Sequence, residues 1–259
     1  MMRKKVYQFY AFVCFLILLI ISPGTAAFSQ KTEKQLSEPA VVQPGKRGKA
    51  PSDAIVIFSK NSLNQFESIV EGSTVSALDG SPAAWKVKGK KFTVVPGTPN
   101  IQTKENFGDC QLHIEWKTPP KDVREGKKSQ ESGNSGIYLM GKYELQVLNS
   151  FENPTNPDGQ AGAIYRQYPP LVNASLKPGI WQVYDIIFTA PRFNIEGSKK
   201  MPGYFTVFHN GVIVQNHVEI KGPSHAGNEK TIINQTELPL MLQNHQNKVS
   251  YRNIWIRRL

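Results

Sequence analysis

One segment of the sequence places a carboxylate and an amide where they could act together on a substrate. In the run Tyr143–Val147, apolar residues alternate with Glu144 and Gln146. This period of two predicts a strand whose two polar side chains project from one face, about 7 Å apart. Such a face is common on the solvent side of antiparallel sheets. As a site, it would offer Glu144 as a general base and Gln146 as a partner for a hydroxyl group.

A second segment repeats the arrangement with a histidine. His113 and Glu115 alternate with Leu112, Ile114 and Trp116, so they share one face of a predicted strand. If the two strands are neighbours, these four polar side chains form one cluster. A lone histidine is more often a structural hydrogen-bonding residue than a catalyst. A His and a Glu two residues apart on a strand are weak evidence for a metal site, so the sequence leaves a divalent metal ion open.

Other chemistries lack their motifs in this sequence. We find no phosphate-binding glycine loop, no nucleophile elbow and no zinc-binding cysteine set, and therefore no cofactor motif. The formal charge is +11, but the basic residues are spread along the chain, without a basic helix or an aromatic RNA-binding signature. The sequence therefore does not predict a nucleic-acid partner, nor does it predict an oligomeric state.

The first 27 residues have the order of a secretory signal peptide. Basic residues at positions 3–5 precede an apolar run from Phe9 to Ile21, and small residues end at Ala27. The run has 13 residues, whereas a membrane-spanning helix needs about 20. We therefore expect export to the periplasm, cell surface or medium, without stable membrane insertion after cleavage. Cleavage would leave Cys110 alone, which excludes an internal disulfide and is typical of a bacterial exported protein.

The rest of the sequence predicts a polar linker followed by one β-domain. Residues 28–50 are polar and contain prolines and a basic run, which predicts a disordered linker. Residues 51–259 contain many short alternating runs separated by Gly, Pro and Asn, without helical periodicity, which predicts a β-sandwich or barrel. Asn210-Gly211 predicts a two-residue hairpin turn. Strands are expected at Ala54–Phe58, Trp85–Val95, Leu112–Trp116, Gly136–Met140, Tyr143–Val147, Trp181–Thr189, Tyr204–His209, Val212–Asn216, Leu238–Gln243 and Val249–Arg257.

From about residue 54 to residue 259, the chain resembles the 3-keto-disaccharide hydrolase family. The blocks that carry the resemblance are Phe107–Asp109, Leu112–Trp116, Gly133–Leu139, Tyr143–Leu148, Asp158–Tyr165, Tyr168–Ala174, Trp181–Gln182, Tyr184–Phe188, Leu242–His245 and Tyr251–Ile256. The resemblance implies an all-β, concanavalin A-like jelly roll of two curved antiparallel sheets that acts on carbohydrate. It also implies cleavage of glycosides that carry a ketone at C3, because that ketone acidifies the C2 proton. A base removes the proton, the group at C1 is expelled, and water adds.

Within this resemblance, the roles fall on eight residues. Glu144 or His113 is the expected general base, and Glu115 would orient a histidine or bind a metal ion. The expected substrate-binding residues are Gln146, Gln243, His245, Asn134 and Tyr165.

Two asparagines keep alternatives open. Asn149 and Asn244 stand where members of the family commonly have Asp. If either Asp is essential in those members, this chain has an altered substrate or is inactive. In laminarinase-like jelly rolls, one strand carries Glu-x-Asp-x-x-Glu, and the matching positions here are Glu144, Gln146 and Asn149. The two amides disfavour a retaining mechanism, which needs paired carboxylates about 5.5 Å apart, unless Glu115 or another acid supplies the second carboxylate. A lectin-like binding module is the alternative function. We favour an enzyme, because all four tryptophans fall in strand-like runs and are expected in the core, where they cannot form a sugar platform.

Overall fold

The computed structural model describes residues 38–46, 48–69, 78–120, 129–224 and 235–259, and its regular secondary structure is almost entirely antiparallel strands. The larger sheet has eight strands: β1 (Ile55–Phe58), β4 (Lys86–Lys88), β5 (Lys91–Thr93), β7 (Cys110–Lys117), β10 (Gln182–Thr189), β13 (Tyr204–His209), β14 (Val212–Glu219) and β16 (Ser250–Arg258). The smaller sheet has six: β2 (Phe66–Ile69), β3 (Leu78–Pro82), β6 (Ile101–Phe107), β8 (Ser135–Leu139), β9 (Tyr143–Val147) and β15 (Leu238–Leu242). A short ribbon pairs β11 (Arg192–Phe193) with β12 (Lys199–Met201).

The core lies between the two sheets, as the alternation of residue types predicts. On β7, Leu112, Ile114 and Trp116 are buried in it, and on β9 Leu145 and Val147 are buried in it. Each strand therefore turns its alternate residues away from the core, onto the outer face of its own sheet. This confirms the predicted all-β sandwich. The described residues contain no α-helix, and the one helical turn is the 3-10 turn Pro157–Gly159.

The C-terminal strand lies inside the larger sheet. The order of that sheet is β14-β13-β10-β7-β16-β5-β4, and β1 also pairs with β16. Strand β16 is therefore hydrogen-bonded to β7, β5 and β1. Removing the last residues of the chain would thus break a ladder at the centre of the sheet.

The predicted turns and strands are mostly confirmed, with informative differences. Asn210 and Gly211 have φ values of 52° and 81°, as the hairpin between β13 and β14 requires. The predicted run Trp85–Val95 divides at Gly89, which has a φ of 60°, into β4 and β5. Strands β2, β3 and β6 were not predicted, because their sequences are short or polar and show no clean alternation.

The predicted signal peptide lies outside the described residues, as does the predicted linker up to residue 37. From Val41 onward, the described residues of this segment belong to the same compact unit as the β-domain. The carbonyl oxygen of Gly48 accepts hydrogen bonds from Asn253 Nδ2 and Trp255 Nε1, which holds this segment on the larger sheet. In the part of the chain that the structure describes, no helix has the length and apolar character needed to cross a bilayer.

Candidate active site

The outer face of the smaller sheet carries a row of side chains that runs straight across five strands. Cross-strand pairing places Glu67 opposite Gln102, Gln102 opposite Met241, Met241 opposite Tyr138, and Tyr138 opposite Glu144. Directly opposed residues in antiparallel strands share a face. Because Leu145 and Val147 point into the core, Glu144 and its row lie on the opposite, outer side.

The β8–β9 hairpin forms the space in which the Glu144 carboxylate lies. Met140 and Gly141, with φ values of 53° and 60°, close the hairpin and fix the register that sets Tyr138 beside Glu144. Opposite Gln146 on the same face lies Gly136. A Cβ atom at position 136 would come within 2.5 Å of Glu144 Oε1 and within 2.5 Å of the Tyr138 ring. The absence of a side chain at Gly136 therefore makes the space in which the carboxylate lies.

The Glu144 carboxyl group has the electrostatics of a base that works near neutral pH. It is only 2% exposed. Burial raises its pKa to about 7, although the hydrogen bond from Tyr138 and the positive charge of Arg166 partly offset this by favouring the carboxylate. A carboxyl group with such a pKa is available as carboxylate at neutral pH and still accepts a proton readily.

Tyr138 is held between Glu144 and Gln243. Burial, with Glu144 as a further cause, raises the pKa of Tyr138 far above its ordinary value, so the phenol stays protonated. It donates a hydrogen bond to Glu144 and accepts one of 3.1 Å from Gln243 Nε2. Gln243 Oε1 is buried without a hydrogen-bond partner among the described residues, and could therefore accept one from a substrate hydroxyl. The prediction placed Gln243 in the site, and the structure brings it there.

Two segments, which contain Tyr165 and Ser224, form hydrogen bonds to the outer edge of β9 at Glu144. The Tyr165 amide donates to the Glu144 carbonyl oxygen at 3.1 Å, and the Glu144 amide donates to Ser224 Oγ at 2.9 Å. Tyr165 is half-buried near Tyr138, whose pKa it also affects. Arg166 follows with a φ of 58°, exposed and close enough for its charge to act on Glu144. This segment therefore supplies the predicted Tyr165 and a cation that the sequence did not indicate.

Gln146 and Asn134 belong to a buried amide network beside the site. Gln146 Oε1 accepts from the Val147 amide, and its Nε2 lies 3.4 Å from Gln130 Oε1. Asn134 Nδ2 donates to the Gln130 carbonyl oxygen. Gln146 is 1% exposed and Asn134 6% exposed. Both predicted substrate-binding residues therefore support the site from within this network in the conformation described.

His113 and Glu115 lie elsewhere, which corrects the expectation of a single cluster. Their strand, β7, belongs to the larger sheet, so they project from the opposite outer face of the sandwich. His113 Nδ1 is 2.6 Å from Asp185 Oδ1, and its Nε2 is 3.7 Å from Glu115 Oε1. The ring stacks on Trp255 at a centroid distance of 5.1 Å. Alternation along a strand identifies a face but not the sheet, which is why the sequence merged the two pairs.

The charge state of this second cluster also argues against His113 as a base. Burial alone would lower the pKa of His113, but hydrogen bonds and charge interactions with Asp185 and Glu115 outweigh it and raise the pKa to about 9. For Glu115, the contacts with His113, Asn253 and Arg252 outweigh burial and lower the pKa to about 2. His113 is therefore an imidazolium held between carboxylates. In the described ranges, no three His, Cys, Asp or Glu residues lie close enough together to hold a metal ion.

The remaining predicted residues lie in the loops. Asn244 Nδ2 donates to the carbonyl oxygens of Val95 and Thr98, so this amide fastens a loop. Asn149 Nδ2 donates to Ser132 Oγ at 3.2 Å. His245 is exposed in the loop after β15, and no contact within the described residues joins it to Glu144.

The match to a family model decides the family. The model for the 3-keto-alpha-glucoside-1,2-lyase-like domain matches residues 53–257. The chain belongs to this family. The chain is accordingly a glycosidase-like protein that acts on a carbohydrate.

Solved structures agree with the family. A protein of Parabacteroides distasonis ATCC 8503 that is named as a candidate glycosyl hydrolase is 42% identical, with a TM-score of 0.77 over 88% of this chain and 95% of that one. Two more proteins of that organism carry the same name. One is 15% identical, with a TM-score of 0.53 over 80% of this chain and 94% of that one. The other is 18% identical, with a TM-score of 0.51 over 80% and 99%. These two support the fold alone. Among curated proteins, none matches the chain significantly.

Sequence reasoning missed Tyr138, Gly136 and Arg166 as functional residues. Tyr138 could have been found, because it alternates with Ile137 and Leu139 in a run directly before a hairpin. Pairing that run with Tyr143–Val147 places Tyr138 opposite Glu144. Nothing in the local sequence indicates Arg166, because its segment reaches Glu144 only through the folding of residues 149–165 back onto β9.

Proposed function

We propose that the protein cleaves glycosides oxidised at C3, with Glu144 as the base that removes the C2 proton. The observation that carries the proposal is the Glu144 carboxyl group, buried on the outer face of a family domain beside a neutral phenol, with a pKa of about 7. A ketone-activated C–H bond needs one such base and donors aimed at the developing oxyanion.

The proposed reaction forms no covalent bond between the protein and the substrate. Glu144 takes the C2 proton, and the C–H electron pair moves to form the enolate of the C3 ketone. The enolate collapses with formation of a C1–C2 double bond and departure of the C1 oxygen, which takes up a proton. Addition of water then places a hydroxyl group at C1 and a proton at C2. Elimination followed by addition sums to hydrolysis, and elimination alone gives the unsaturated ketone.

Three further groups have roles in this scheme. Arg166 supplies positive charge beside Glu144, where the enolate oxygen develops. Tyr138 donates to Glu144 and keeps the carboxylate oriented. Gln243, whose Oε1 has no hydrogen-bond partner among the described residues, would hold a sugar hydroxyl. These three groups position and stabilise, while the proton transfer itself falls to Glu144.

Glu67, the other acidic residue in the described row of side chains, is too far from Glu144 to support the usual glycosidase chemistry. Glu67 stands in the same row as Glu144, but four strand spacings away, which is about 19 Å. Paired carboxylates in glycosidases are about 5.5 Å apart in retaining enzymes and about 6.5–9.5 Å apart in inverting ones. Glu67 therefore cannot serve as the second carboxylate.

The proposal also includes export of the protein. Its support is the order of basic, apolar and small residues in positions 1–27, all of which lie outside the described residues. The location would be the periplasm, the cell surface or the medium.

A substrate panel tests the proposed activity. The protein is assayed on 3-keto-glucosides and on the unoxidised parent glucosides, each with and without a chelator. We expect release of the C1 group from the keto forms alone. The chelator arm determines whether a divalent metal ion takes part. Cleavage of the parents would contradict the proposal and indicate an ordinary glycosidase. Binding without cleavage of either form would also contradict it and indicate a lectin-like module.

A further inference from the structure

A cationic groove lies on the outer side of the larger sheet, away from Glu144. It has a volume of about 390 Å³ and is lined by Lys88, Lys90, Lys91, Lys117, Trp181 and Arg252. A second groove of about 400 Å³ shares Lys88 and Lys91 with it and adds Lys86 and Lys248. We call these two adjoining grooves the basic surface. Together they are lined by seven basic residues.

The strand order of the sheet brings these cations together from distant parts of the sequence. The β4–β5 hairpin presents Lys88 and Lys91 as a cross-strand pair at the edge of the sheet. Strand β16 lies between β5 and β7 and pairs Ser250 with both Thr93 and Lys117. Like charges on adjacent strands cost stability, so the fold maintains this concentration of charge against an electrostatic penalty.

Trp181 was expected in the core, but it lies half-buried on the outer side of the larger sheet and contacts two of the cations. The guanidinium carbon of Arg252 lies 4.1 Å from the centroid of a Trp181 ring, and Lys117 Nζ lies 4.8 Å from it. Glu115 also accepts a hydrogen bond from Arg252 Nε. Long basic side chains lose considerable freedom when they bind a ligand, and holding them beforehand reduces that cost. The centre of the basic surface is therefore preorganised.

The basic surface has little compensating negative charge. No acidic residue is among the described residues that line either groove. Glu115 pairs with Arg252 from below the surface. Burial, and then the charges of Lys91 and Arg252, lower the pKa of Lys117, which shows that these cations repel one another. An anion placed between them would relieve that repulsion.

We propose that the basic surface binds an acidic polysaccharide, a chain of sugars that carry carboxylate or sulfate groups. Two adjoining grooves lined by seven cations fit a ligand that carries several anions along one chain. The one aromatic ring among its described lining residues, Trp181, is already engaged by two cations, so nucleobases would find no free stacking platform. This binding would hold the protein on a polymer while Glu144 acts on the opposite outer face, and it does not depend on the proposed reaction.

Binding measurements with charge-matched variants test the proposal. The ligands are polygalacturonate for carboxylate, dextran sulfate for sulfate, neutral dextran, and single-stranded DNA, at about 0.15 M salt. We expect binding to one or both acidic glycans and none to neutral dextran. In the double variant Lys88→Gln/Lys91→Gln, affinity should fall about tenfold. The control Lys104→Gln/Lys200→Gln removes the same charge from exposed positions elsewhere and should change affinity less than about twofold.

Three results would overturn the proposal: no binding to either acidic glycan, an equal loss in both double variants, or DNA binding as tight as glycan binding. Thermal unfolding shows whether the variants are folded, and Lys90→Gln, at an exposed turn position, gives a second variant if the first is unstable. Turnover of a small 3-keto-glucoside should be unchanged in Lys88→Gln/Lys91→Gln, so failure of the binding surface is distinguishable from failure of the proposed reaction.

Discussion

At the scale of single residues, the environment of Glu144 decides what its carboxyl group can do. Burial works against the carboxylate, while Tyr138 and Arg166 work for it, and the balance is a pKa of about 7. The same residue type on the other outer face, Glu115, is held by Arg252 and His113 with a pKa of about 2. The first can exchange a proton with a substrate near neutral pH, and the second is a permanent anion.

The pH dependence of turnover reports this balance. A base must be deprotonated to act, so kcat/KM for a 3-keto-glucoside should fall on the acidic side with an apparent pKa near 7. Removing the charge in Arg166→Gln withdraws a stabiliser of the carboxylate, so the acidic limb should move to higher pH. Lys104→Gln, with its charge on an exposed part of β6, should leave the limb in place. A limb near the ordinary carboxyl pKa of about 4.3 would contradict the assignment.

At the scale of elements, the site is made by the pairing of β8 with β9. Local patterning predicted both strands and the outward direction of Glu144 and Gln146. It could not predict the row from Glu67 to Glu144, because that row depends on register across strands far apart in sequence. Nor could it assign β7 to the other sheet, since His113 and Glu115 alternate with apolar residues in the same way as Glu144 and Gln146. The family resemblance supplied the fold that periodicity alone left as a sandwich or barrel.

Substituting Gly136 tests whether the Glu144 carboxylate needs the space that this glycine leaves open. In Gly136→Ala, the new Cβ would meet the flexible Glu144 carboxylate and the Tyr138 ring. We expect the carboxylate to move, with a fall in kcat of about a hundredfold and a loss of about 1–3 kcal/mol in the free energy of unfolding. Gly222→Ala, where a Cβ would meet nothing within 4 Å, should change neither quantity appreciably. Full activity in Gly136→Ala would show that this space is not needed.

At the scale of the whole molecule, the two outer faces of the sandwich carry different groups of polar side chains. The face with Glu144 belongs to the smaller sheet, and the face with His113 and the basic surface belongs to the larger one. The described part of the N-terminal segment joins the second face through Gly48, which bonds to Asn253 and Trp255 beside His113. The His113 cluster therefore stabilises the fold, at a distance from the proposed chemistry.

This assignment predicts a pH dependence of stability. The folded pKa of His113 is about 9, above the unfolded value of about 6.5. Its contribution is therefore fully present below about pH 6.5 and is lost as pH rises through about 9, on the order of 3 kcal/mol in all. Chemical denaturation should show this loss in the parent protein and not in His113→Gln. The exposed His245→Gln serves as control and should behave like the parent. Loss of turnover in folded His113→Gln would contradict this assignment, because His113 would then take part in the reaction.

Proton exchange at C2 of the substrate tests the central claim most directly. A 3-keto-glucoside is incubated in deuterium oxide with the parent protein and with Glu144→Gln, which keeps the shape of the side chain and removes the base. We expect deuterium at C2 of the product or recovered substrate with the parent protein, and no enzyme-dependent exchange or C1 release with a folded Glu144→Gln. Exchange and C1 release at parental rates in Glu144→Gln would contradict the account, because another group would then be removing the proton.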